Sequence, residues 1–397
     1  MRNVKIAVFG GPVPQRLDAV TNLVPTGNGR LARSIADELS GHFDDVEFIG
    51  NTDGVMKYDF DMMEQAVDTT EADVIVFLPH LPNVLVTPVE GKMRAADLSN
   101  GRTRLDFRPA PKLLQRVKKL HPEALLVPFK IVEKGTPLVE IIRFMLRAHA
   151  ALAVYSYLGD SRNFTIVDAL GNEIRCEKER LPGMLAREIL RFVRAVRRRS
   201  VRVGERIPPV PKLDTFVDFS RAMQPAFAQI VEKNVGSGRW PGNFSFRCTH
   251  GFSSVRAGEG FVITKRNVAK TGLTEEDFVY VDVGLHEGAL RFFGQVEAKP
   301  SIDAPVHRVI YEHLPWVSAI VHGHLFCHGE HVHPGNLERW PCGAENEAYD
   351  IVARAPRETR DLWVANVDGH GFVALIGSDP LETGLDMLRH SRYAMNH

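Results

Sequence analysis

The sequence lacks the features that mark several large classes of protein. Lys plus Arg and Asp plus Glu both number 49 among 397 residues, so no net charge attracts nucleic acid or an anionic membrane. No apolar run approaches the roughly 18 residues of a transmembrane helix, and the first residues lack the apolar stretch of a signal peptide. The 4 cysteines lie far apart with no CxxC pair. We therefore expect a cytoplasmic protein with reduced thiols, a small-molecule substrate, and neither nucleic acid nor membrane as a partner.

Length and one proline-rich segment predict the domain organisation. At roughly 100–200 residues per domain, the chain is long enough for two or three. An apolar stripe at 187–199 predicts a helix that ends in an arginine cluster, which could bind a phosphate-bearing partner or simply complement the helix dipole. The prolines of 208–211 then forbid helix and favour an extended linker. We predict domains at 1–205 and 213–397, joined by a linker at 206–212.

The N-terminal half alternates the patterns of buried strands and helices, which predicts an open, mostly parallel α/β sheet. The strand-like apolar runs lie at 4–10, 72–79, 124–130, 151–158 and 164–171. Between the first run and a predicted helix at 31–40 lies "GGPVPQRLDAVTNLVPTGNGR". Gly27, Gly29 and Arg30 stand where this helix begins, so backbone N–H groups there suit a phosphate. A purely structural turn is the alternative.

The stretch "GGPVPQRLDAVTNLVPTGNGRLARSIADEL" resembles the opening of the phosphopantothenate–cysteine ligase family. The resemblance covers about residues 3–198 and implies a Rossmann-like domain with CTP or another nucleotide as a cofactor. The implied contacts with that cofactor come from the turn between the first strand and the first helix. They are Gly11, Pro12, Asp18, Thr26, Gly27, Asn28, Gly29 and Arg30.

Residues that differ from the ligase family fall where that family does its chemistry. Pro25 stands in place of the asparagine that handles the acyl-cytidylate, and Tyr157 stands near the family's A-N-D motif. Neither residue can supply the missing amide or carboxylate. We expect no acyl-cytidylate formation, whereas a backbone cradle for a nucleotide or phosphate does not depend on those side chains.

Histidines dominate one stretch of the C-terminal half, "AIVHGHLFCHGEHVHPG" at 319–335. The apolar run before His322 predicts a strand, and residues two apart on a strand share a face, so His322 and His324 can share one metal ion. His370 is flanked by glycines, which leave room beside its imidazole, and we predict it as the third ligand. The other histidines of the stretch are predicted to form an exposed loop.

The C-terminal half, at about 215–390, resembles the class II aldolase/adducin family. The stretches that carry this resemblance are "GNFSFR", "IT" with "LTEED", "SIDAPVH", "VHGH" and "GHG". The resemblance implies an α/β/α domain with a mainly antiparallel sheet, Zn²⁺ on His322, His324 and His370, and Asp303 as the acid/base carboxylate. Three histidines leave an open coordination position, as catalytic zinc sites do. The implied substrate contacts are Asn243, Thr264, Lys265, Arg266 and Ser301.

Two positions in this half leave alternatives open. Lys265 and Arg266 replace small residues of the family's phosphate pocket, which predicts an altered anionic end of the substrate. Asp303 precedes Ala304-Pro305 and could be only a helix N-cap. His307 is predicted to be a packed core histidine.

The leading hypothesis is a homo-oligomeric, zinc-dependent lyase of the aldolase/epimerase type, acting on a small, phosphorylated or acidic hydroxy-carbonyl compound. A nucleotide- or phosphate-binding domain is fused to it. The alternatives are a CTP- or ATP-dependent carboxylate–amine ligase and a non-catalytic, adducin-like assembly protein.

Overall fold

The structure, a computed structural model, divides the chain into two compact units, Met1–Val193 and Arg194–His397. Pro25 and three of the predicted cofactor contacts, Asp18, Thr26 and Gly27, lie outside the residues that it describes. Those residues are 4–16, 22–23, 28–52, 55–81, 84–86, 107–109, 112–148, 150–169, 171–210, 212–223, 240–248, 260–270, 272–377 and 381–394.

The first unit is built on a seven-stranded sheet in the order β11-β10-β9-β8-β5-β1-β4. Its strands and two short flanking ladders are β1 (Lys5–Pro12), β2 (Gln15–Arg16), β3 (Asn22–Leu23), β4 (Asp45–Gly50), β5 (Val74–His80), β6 (Val84–Val86), β7 (Phe107–Pro109), β8 (Leu125–Val132), β9 (Leu152–Tyr157), β10 (Asn163–Asp168) and β11 (Glu173–Glu177). The helices are α1 (Arg30–Ser40), α2 (Phe60–Thr69), α3 (Leu113–Leu120), α4 (Leu138–Arg147) and α5 (Leu181–Arg194). In this sheet, the pairs β4-β1, β1-β5, β5-β8 and β8-β9 are parallel, whereas β10 pairs antiparallel with both β9 and β11. This pairing confirms the predicted mostly parallel sheet.

Strand β1 shows why the predicted strands of the N-terminal half are continuous apolar runs in the sequence. Alternate residues point to opposite faces of a strand, and both faces of this sheet are covered. Ile6 and Val8 pack in one core cluster with residues of α1 and α5. Ala7 and Phe9 pack in another cluster with residues of α2 and α3. The sheet therefore lies between two helical layers, with the carboxyl end of β1 leading toward α1.

The second unit is built on an eight-stranded sheet in the order β12-β16-β15-β14-β13-β17-β20-β19. Its strands, with one small separate ladder, are β12 (Ser200–Gly204), β13 (Asn243–Cys248), β14 (Gly260–Thr264), β15 (Phe278–His286), β16 (Ala289–Phe293), β17 (Ala319–Gly323), β18 (Phe326–His328), β19 (Leu362–Val367), β20 (Gly371–Ile376) and β21 (Arg392–Ala394). The helices are α6 (Leu213–Ala222), α7 (Ala304–His313), α8 (Glu345–Arg354) and α9 (Leu381–Arg389), with a 3₁₀ turn at Glu275–Asp277. Apart from the parallel pair β12 and β16, neighbouring strands pair antiparallel, as predicted.

Strand β14 shows how this sheet forms the middle of three layers. Phe261 and Ile263 pack in one core cluster with residues of α7 and α8. Val262, between them, packs in the opposite cluster with residues of α6 and α9. This period of two gives the α/β/α arrangement that the sequence predicted.

The boundary between the units differs from the predicted one. Helix α5 spans Leu181–Arg194 rather than 187–199, because the chain after it turns into β12, which pairs with β16 of the second sheet. Arg198 is not a solvated helix end, since its guanidinium Nε donates to Glu345 Oε2 at 3.0 Å. The predicted linker at 206–212 contributes Val210, 6% exposed, to a core cluster of the second unit. Residues 194–210 therefore belong with the second unit.

Two general features bear on the expected class of protein. Among the residues described, no helix combines the length and the apolar character needed to cross a lipid bilayer. All four cysteines lie in the described part of the chain, and none of them forms a disulfide.

Candidate metal centre

Three strands bring the predicted metal ligands together. His322 is the penultimate residue of β17, His324 follows that strand directly, and His370 lies in the turn between β19 and β20. Because β17 pairs with β20, with Gly323 opposite Phe372, the turn that carries His370 is held beside the other two imidazoles. Nitrogen atoms of the three rings, one from each, all lie within 4.8 Å of one another. This cluster is the one that the sequence predicted.

His322 is oriented with one ring nitrogen toward the backbone and the other toward the cluster. Its Nδ1 lies 2.9 Å from the carbonyl oxygen of Phe372 and donates to it, which fixes the tautomer. Its Nε2 is buried and has no hydrogen-bond partner among the described residues. Burial lowers the pKa of His322 and holds that of His324 well below its usual value. A lowered pKa favours the neutral form of each ring, which is the form that binds a metal ion.

His370 is held by a carboxylate that the sequence did not single out. Its Nδ1 lies 2.8 Å from Glu347 Oε2, and both side chains are buried. Burial lowers the pKa of His370, but Glu347 and the Cys342 thiol outweigh it, so the pKa is raised well above its usual value. A carboxylate on the far nitrogen makes an imidazole a more basic ligand. His370 Nε2 is left for the cluster, 3.7 Å from Cys342 Sγ. Glu347 carries no sequence signal beyond being one of several acidic residues in α8.

The glycine after His370 is required by the backbone conformation and does not leave space for a ligand. Gly371 has a φ of 128°, and a Cβ there would lie 2.1 Å from the carbonyl oxygen of Gly323. The flanking glycines were predicted to leave room beside the imidazole. At Gly371 the space is filled instead by the neighbouring strand, which needs this close approach to bring His370 to His322.

Asp303 occupies the N-cap position of α7, but its side chain makes no cap hydrogen bond. Its Oδ2 accepts from Asn243 Nδ2 at 2.8 Å and lies 3.9 Å from His322 Nε2. Its Oδ1 is buried without a hydrogen-bond partner among the described residues. Burial raises the pKa of Asp303, but His322, His370, His307 and the Asn243 amide together lower it below its usual value. The carboxylate is therefore directed at the cluster, not at the helix.

The "GNFSFR" stretch on β13 carries polar side chains with two different roles. Asn243 lies at the histidine cluster, whereas Ser245 contacts a histidine of the core. Asn243 stands opposite His322 in the sheet and also donates to Ser301 Oγ at 3.0 Å, so both predicted substrate contacts adjoin Asp303. Ser245 Oγ lies 2.7 Å from His307 Nδ1. Burial lowers the pKa of His307 to about 3, so this histidine is a neutral core residue, as predicted.

The remaining predicted substrate contacts lie at the end of β14 and directly after it. Thr264 Oγ1 accepts weakly from the backbone N–H of Phe244 at 3.4 Å. Lys265 is a half-buried residue whose ammonium donates to Gln295 Oε1 at 3.2 Å in an exposed hydrogen bond, and Arg266 is exposed. The role of both cations with a substrate stays a prediction.

A third cation on the same segment, Lys270, is buried, and sequence reasoning missed it. Lys270 is 5% exposed, and its ammonium donates to the carbonyl oxygen of Val268 at 2.9 Å. It acts electrostatically on Asp303 and on His324. Burial lowers the pKa of Lys270 to about 7. A single lysine in "NVAKTG" resembles any solvated loop lysine, so the sequence carries no signal for its burial.

In the first unit, the described part of the predicted turn is a tight backbone junction. Gly29 is the N-cap of α1 with a φ of 68°, and Gly11 at the end of β1 has a φ of 84°. A Cβ on either glycine would lie 1.9 Å from the carbonyl oxygen of Asn51. Asn28 Oδ1 accepts from the backbone N–H of Arg30 at 3.2 Å. Gly11, Pro12, Asn28, Gly29 and Arg30 thus lie where β1 ends or α1 begins.

The C-terminal resemblance is confirmed by a family match. Residues 223–326 match the sequence profile of the family described as Class II Aldolase and Adducin N-terminal domain. The match includes Asp303, His322 and His324, whereas His370 lies beyond it. No curated protein matches the sequence.

Several solved structures are similar to parts of this chain. The DNA/pantothenate metabolism flavoprotein from Streptococcus pneumoniae is 16% identical with a TM-score of 0.37, over 47% of this chain and 98% of that one. A sugar-phosphate aldolase from Thermotoga maritima is 14% identical with a TM-score of 0.30, over 44% and 90% respectively. An L-fuculose 1-phosphate aldolase is 16% identical with a TM-score of 0.27, over 43% and 83%.

Proposed function

We propose that the second unit is a metal-dependent lyase of the aldolase/epimerase type, with Zn²⁺ as the first candidate ion. One observation carries the proposal: three converging imidazoles lie beside a buried carboxylate whose Oδ1 has no partner among the described residues. The family match over residues 223–326 supports it. The proposed substrate is a small hydroxy-carbonyl compound with an anionic group.

The residues present fit a divalent ion. His322 Nε2 is buried without a hydrogen-bond partner among the described residues, which is costly unless something binds it. His370 has its Nδ1 engaged by Glu347, so its Nε2 is the ligand atom, and His324 is the third. A divalent ion bound there would act as a Lewis acid toward a carbonyl oxygen.

Asp303 is the proposed acid/base group. Asn243 Nδ2 fixes its Oδ2, so the unpartnered Oδ1 is the oxygen that would take up or release the substrate's proton. The lowered pKa keeps the carboxylate ionised, which is the form that can accept a proton. Proton transfer by a positioned carboxylate contributes about 10²–10⁴-fold to a rate.

Lys270 is proposed to attract the anionic end of the substrate. Its buried ammonium already acts on Asp303 and His324, so its charge is felt where the substrate would bind. A cation in a low-dielectric interior attracts an anion more strongly than an exposed cation does. Lys265 and Arg266 remain the candidates suggested by the family resemblance.

For the first unit we propose a nucleotide- or phosphate-binding role. The support is the approach of the carboxyl end of a parallel strand to the N-terminus of α1, whose first turn carries no acidic residue. Backbone N–H groups and the helix dipole favour an anion at such a place.

A cleavage assay on the purified full-length protein tests the lyase proposal. A panel of phosphorylated and acidic hydroxy-carbonyl compounds is incubated with the zinc-loaded protein, and released aldehyde is measured. We expect release that stops when a chelator removes the metal and returns when Zn²⁺ is added back. Failure of the purified protein to bind any divalent ion would contradict the proposal.

A further inference from the structure

The geometry points to a fourth donor at the histidine cluster: we propose that Cys342 is a thiolate ligand of the same divalent ion. The ligand set would then be three histidines and one cysteine rather than three histidines and an open position. This inference rests on the metal centre proposed above and adds a residue that the predicted ligand set did not include.

The contact between Cys342 and His370 has the separation expected of two ligands on one ion. Cys342 Sγ lies 3.7 Å from His370 Nε2, the nitrogen that faces the cluster because Nδ1 is engaged by Glu347. Zinc binds nitrogen at about 2.0–2.1 Å and sulfur at about 2.3 Å, so the two donors of a tetrahedral ion stand about 3.5 Å apart. The Sγ atom is not among the ligand atoms that all lie within 4.8 Å of one another, so binding requires the Cys342 side chain to turn toward the other two imidazoles.

The backbone around Cys342 is fixed rather than loosely placed. The next residue, Gly343, has a φ of 74°, and a Cβ there would lie 2.2 Å from the carbonyl oxygen of Ile302. The segment therefore packs directly against the residue that precedes Asp303. Cys342 is half-buried, whereas the other three cysteines are buried.

A second observation points to a ligand at the same place. His322, 2% exposed, has its Nε2 buried without a hydrogen-bond partner among the described residues. An ion held between His322 and His370 would satisfy that nitrogen. The thiol would release its proton to solvent as it binds the ion.

A thiolate in the set has two consequences. Sulfur favours zinc or cobalt over magnesium or manganese, so the centre should select the softer ions. The thiolate also takes the position that catalytic zinc sites leave open. The substrate would then have to displace Cys342 or enter as a fifth ligand.

Cobalt substitution tests the proposal without relying on turnover. Metal-free full-length protein is loaded with one equivalent of Co²⁺, and its absorption spectrum is compared with those of Cys342→Ser and Cys342→Ala. We expect the wild type alone to show a sulfur-to-cobalt charge-transfer band in the near ultraviolet, with visible d–d bands retained in all three. Cys176→Ser, a buried cysteine of the first unit, is the matched control and should keep the charge-transfer band.

The outcomes separate this proposal from the one on which it rests. Visible d–d bands with no charge-transfer band in the wild type would overturn the thiolate ligand and leave the metal centre standing. Absence of cobalt binding by the wild type would overturn both. A charge-transfer band that persists in both Cys342 variants would also overturn the assignment, because the sulfur would come from elsewhere.

Alkylation provides an independent readout. Iodoacetamide is added to the protein with and without Zn²⁺, and modification of Cys342 is measured by peptide mass spectrometry. We expect Zn²⁺ to reduce the rate of modification at Cys342 at least tenfold, and His370→Ala to abolish that protection. Equal modification with and without Zn²⁺ in protein shown to contain the metal would overturn the proposal.

Discussion

The two predicted sites, one in each unit, were both inferred from sequence patterns, and their structures differ in kind. At the junction of β1 and α1, the glycines are explained by the chain itself, because the backbone of Asn51 fills the space where their side chains would be. At the histidine cluster, packing explains the backbone but leaves buried polar atoms of Asn243, Asp303 and His322 without partners among the described residues. A native fold rarely leaves such atoms unsatisfied, so they are the stronger indication of a ligand.

The largest effect in this comparison should come from removing a histidine of the cluster. We expect His322→Ala, His324→Ala and His370→Ala each to lose the roughly one divalent ion bound per chain by the wild type, measured by elemental analysis of gel-filtered protein. Each change removes a ligand from a set of three imidazoles. His333→Ala is the control, since His333 packs against Trp363 outside the cluster and should keep the metal. Wild-type metal content in all three variants would refute the site.

The next largest effect is expected from substitution of Asp303, which tests whether this residue acts in catalysis or only caps a helix. We expect Asp303→Asn to keep the metal and to lose about 10²–10⁴-fold in turnover, because the proton acceptor is gone. The melting temperature of the variant should change little, since the Asp303 side chain makes no cap hydrogen bond with α7.

Asp59 is the matched control for a capping role. Its side chain accepts from the backbone N–H of Met62 at the start of α2, so Asp59→Ala should cost about 1 kcal/mol of stability with activity intact. An Asp303→Asn variant that behaves like this control, less stable but fully active, would return Asp303 to a structural role.

The backbone elements could be predicted from the sequence more fully than the contacts of individual side chains. Hydrophobic periodicity located β1 and β17, because the burial pattern of a strand follows from the residues of that strand alone. The pair His322 and His324 was predictable for the same reason. Glu347, Cys342 and Lys270 were not assigned roles, since their positions depend on how distant elements pack, and each looks ordinary in its own stretch. The start of α5 was misplaced because its apolar stripe alone does not show where a helix begins.

A smaller effect should appear in the pH dependence of stability through Lys270. Its pKa is lowered to about 7 in the folded protein because of burial, while the unfolded chain keeps the ordinary value near 10.5. Between these pH values the unfolded state binds more protons, so the free energy of unfolding rises with pH, by at most about 1.4 kcal/mol per unit. Lys270→Met abolishes that term. Its stability relative to the wild type should therefore be highest at pH 7 and below and should fall toward pH 10.

Urea unfolding of the metal-free proteins at several pH values measures this difference. Lys265→Met is the control for loss of a lysine, because its ammonium makes an exposed hydrogen bond to Gln295. We expect its stability relative to the wild type to change much less with pH. A difference between Lys270→Met and the wild type that stays constant from pH 7 to pH 10 would contradict the assignment of a perturbed ammonium.

The smallest effect is expected from substitution of Arg30. It tests the predicted phosphate site at the junction of β1 and α1, which has less structural support than the histidine cluster. If the start of α1 binds a phosphate-bearing compound, Arg30→Ala should weaken binding of CTP, ATP or inorganic phosphate about two- to fivefold, the ~0.3–1 kcal/mol of one exposed charge near a helix N-terminus. Arg30 is exposed, so its removal should leave the fold intact, whereas a side chain at Gly29 would collide with Asn51. Arg33→Ala is the matched control, because Arg33 lies about one turn later in α1 and its Nε is paired with Asp37 Oδ1 at 3.2 Å. Calorimetry that finds no heat with any of the three compounds, or equal affinities in both variants and the wild type, would leave the glycines of this turn with their packing role alone.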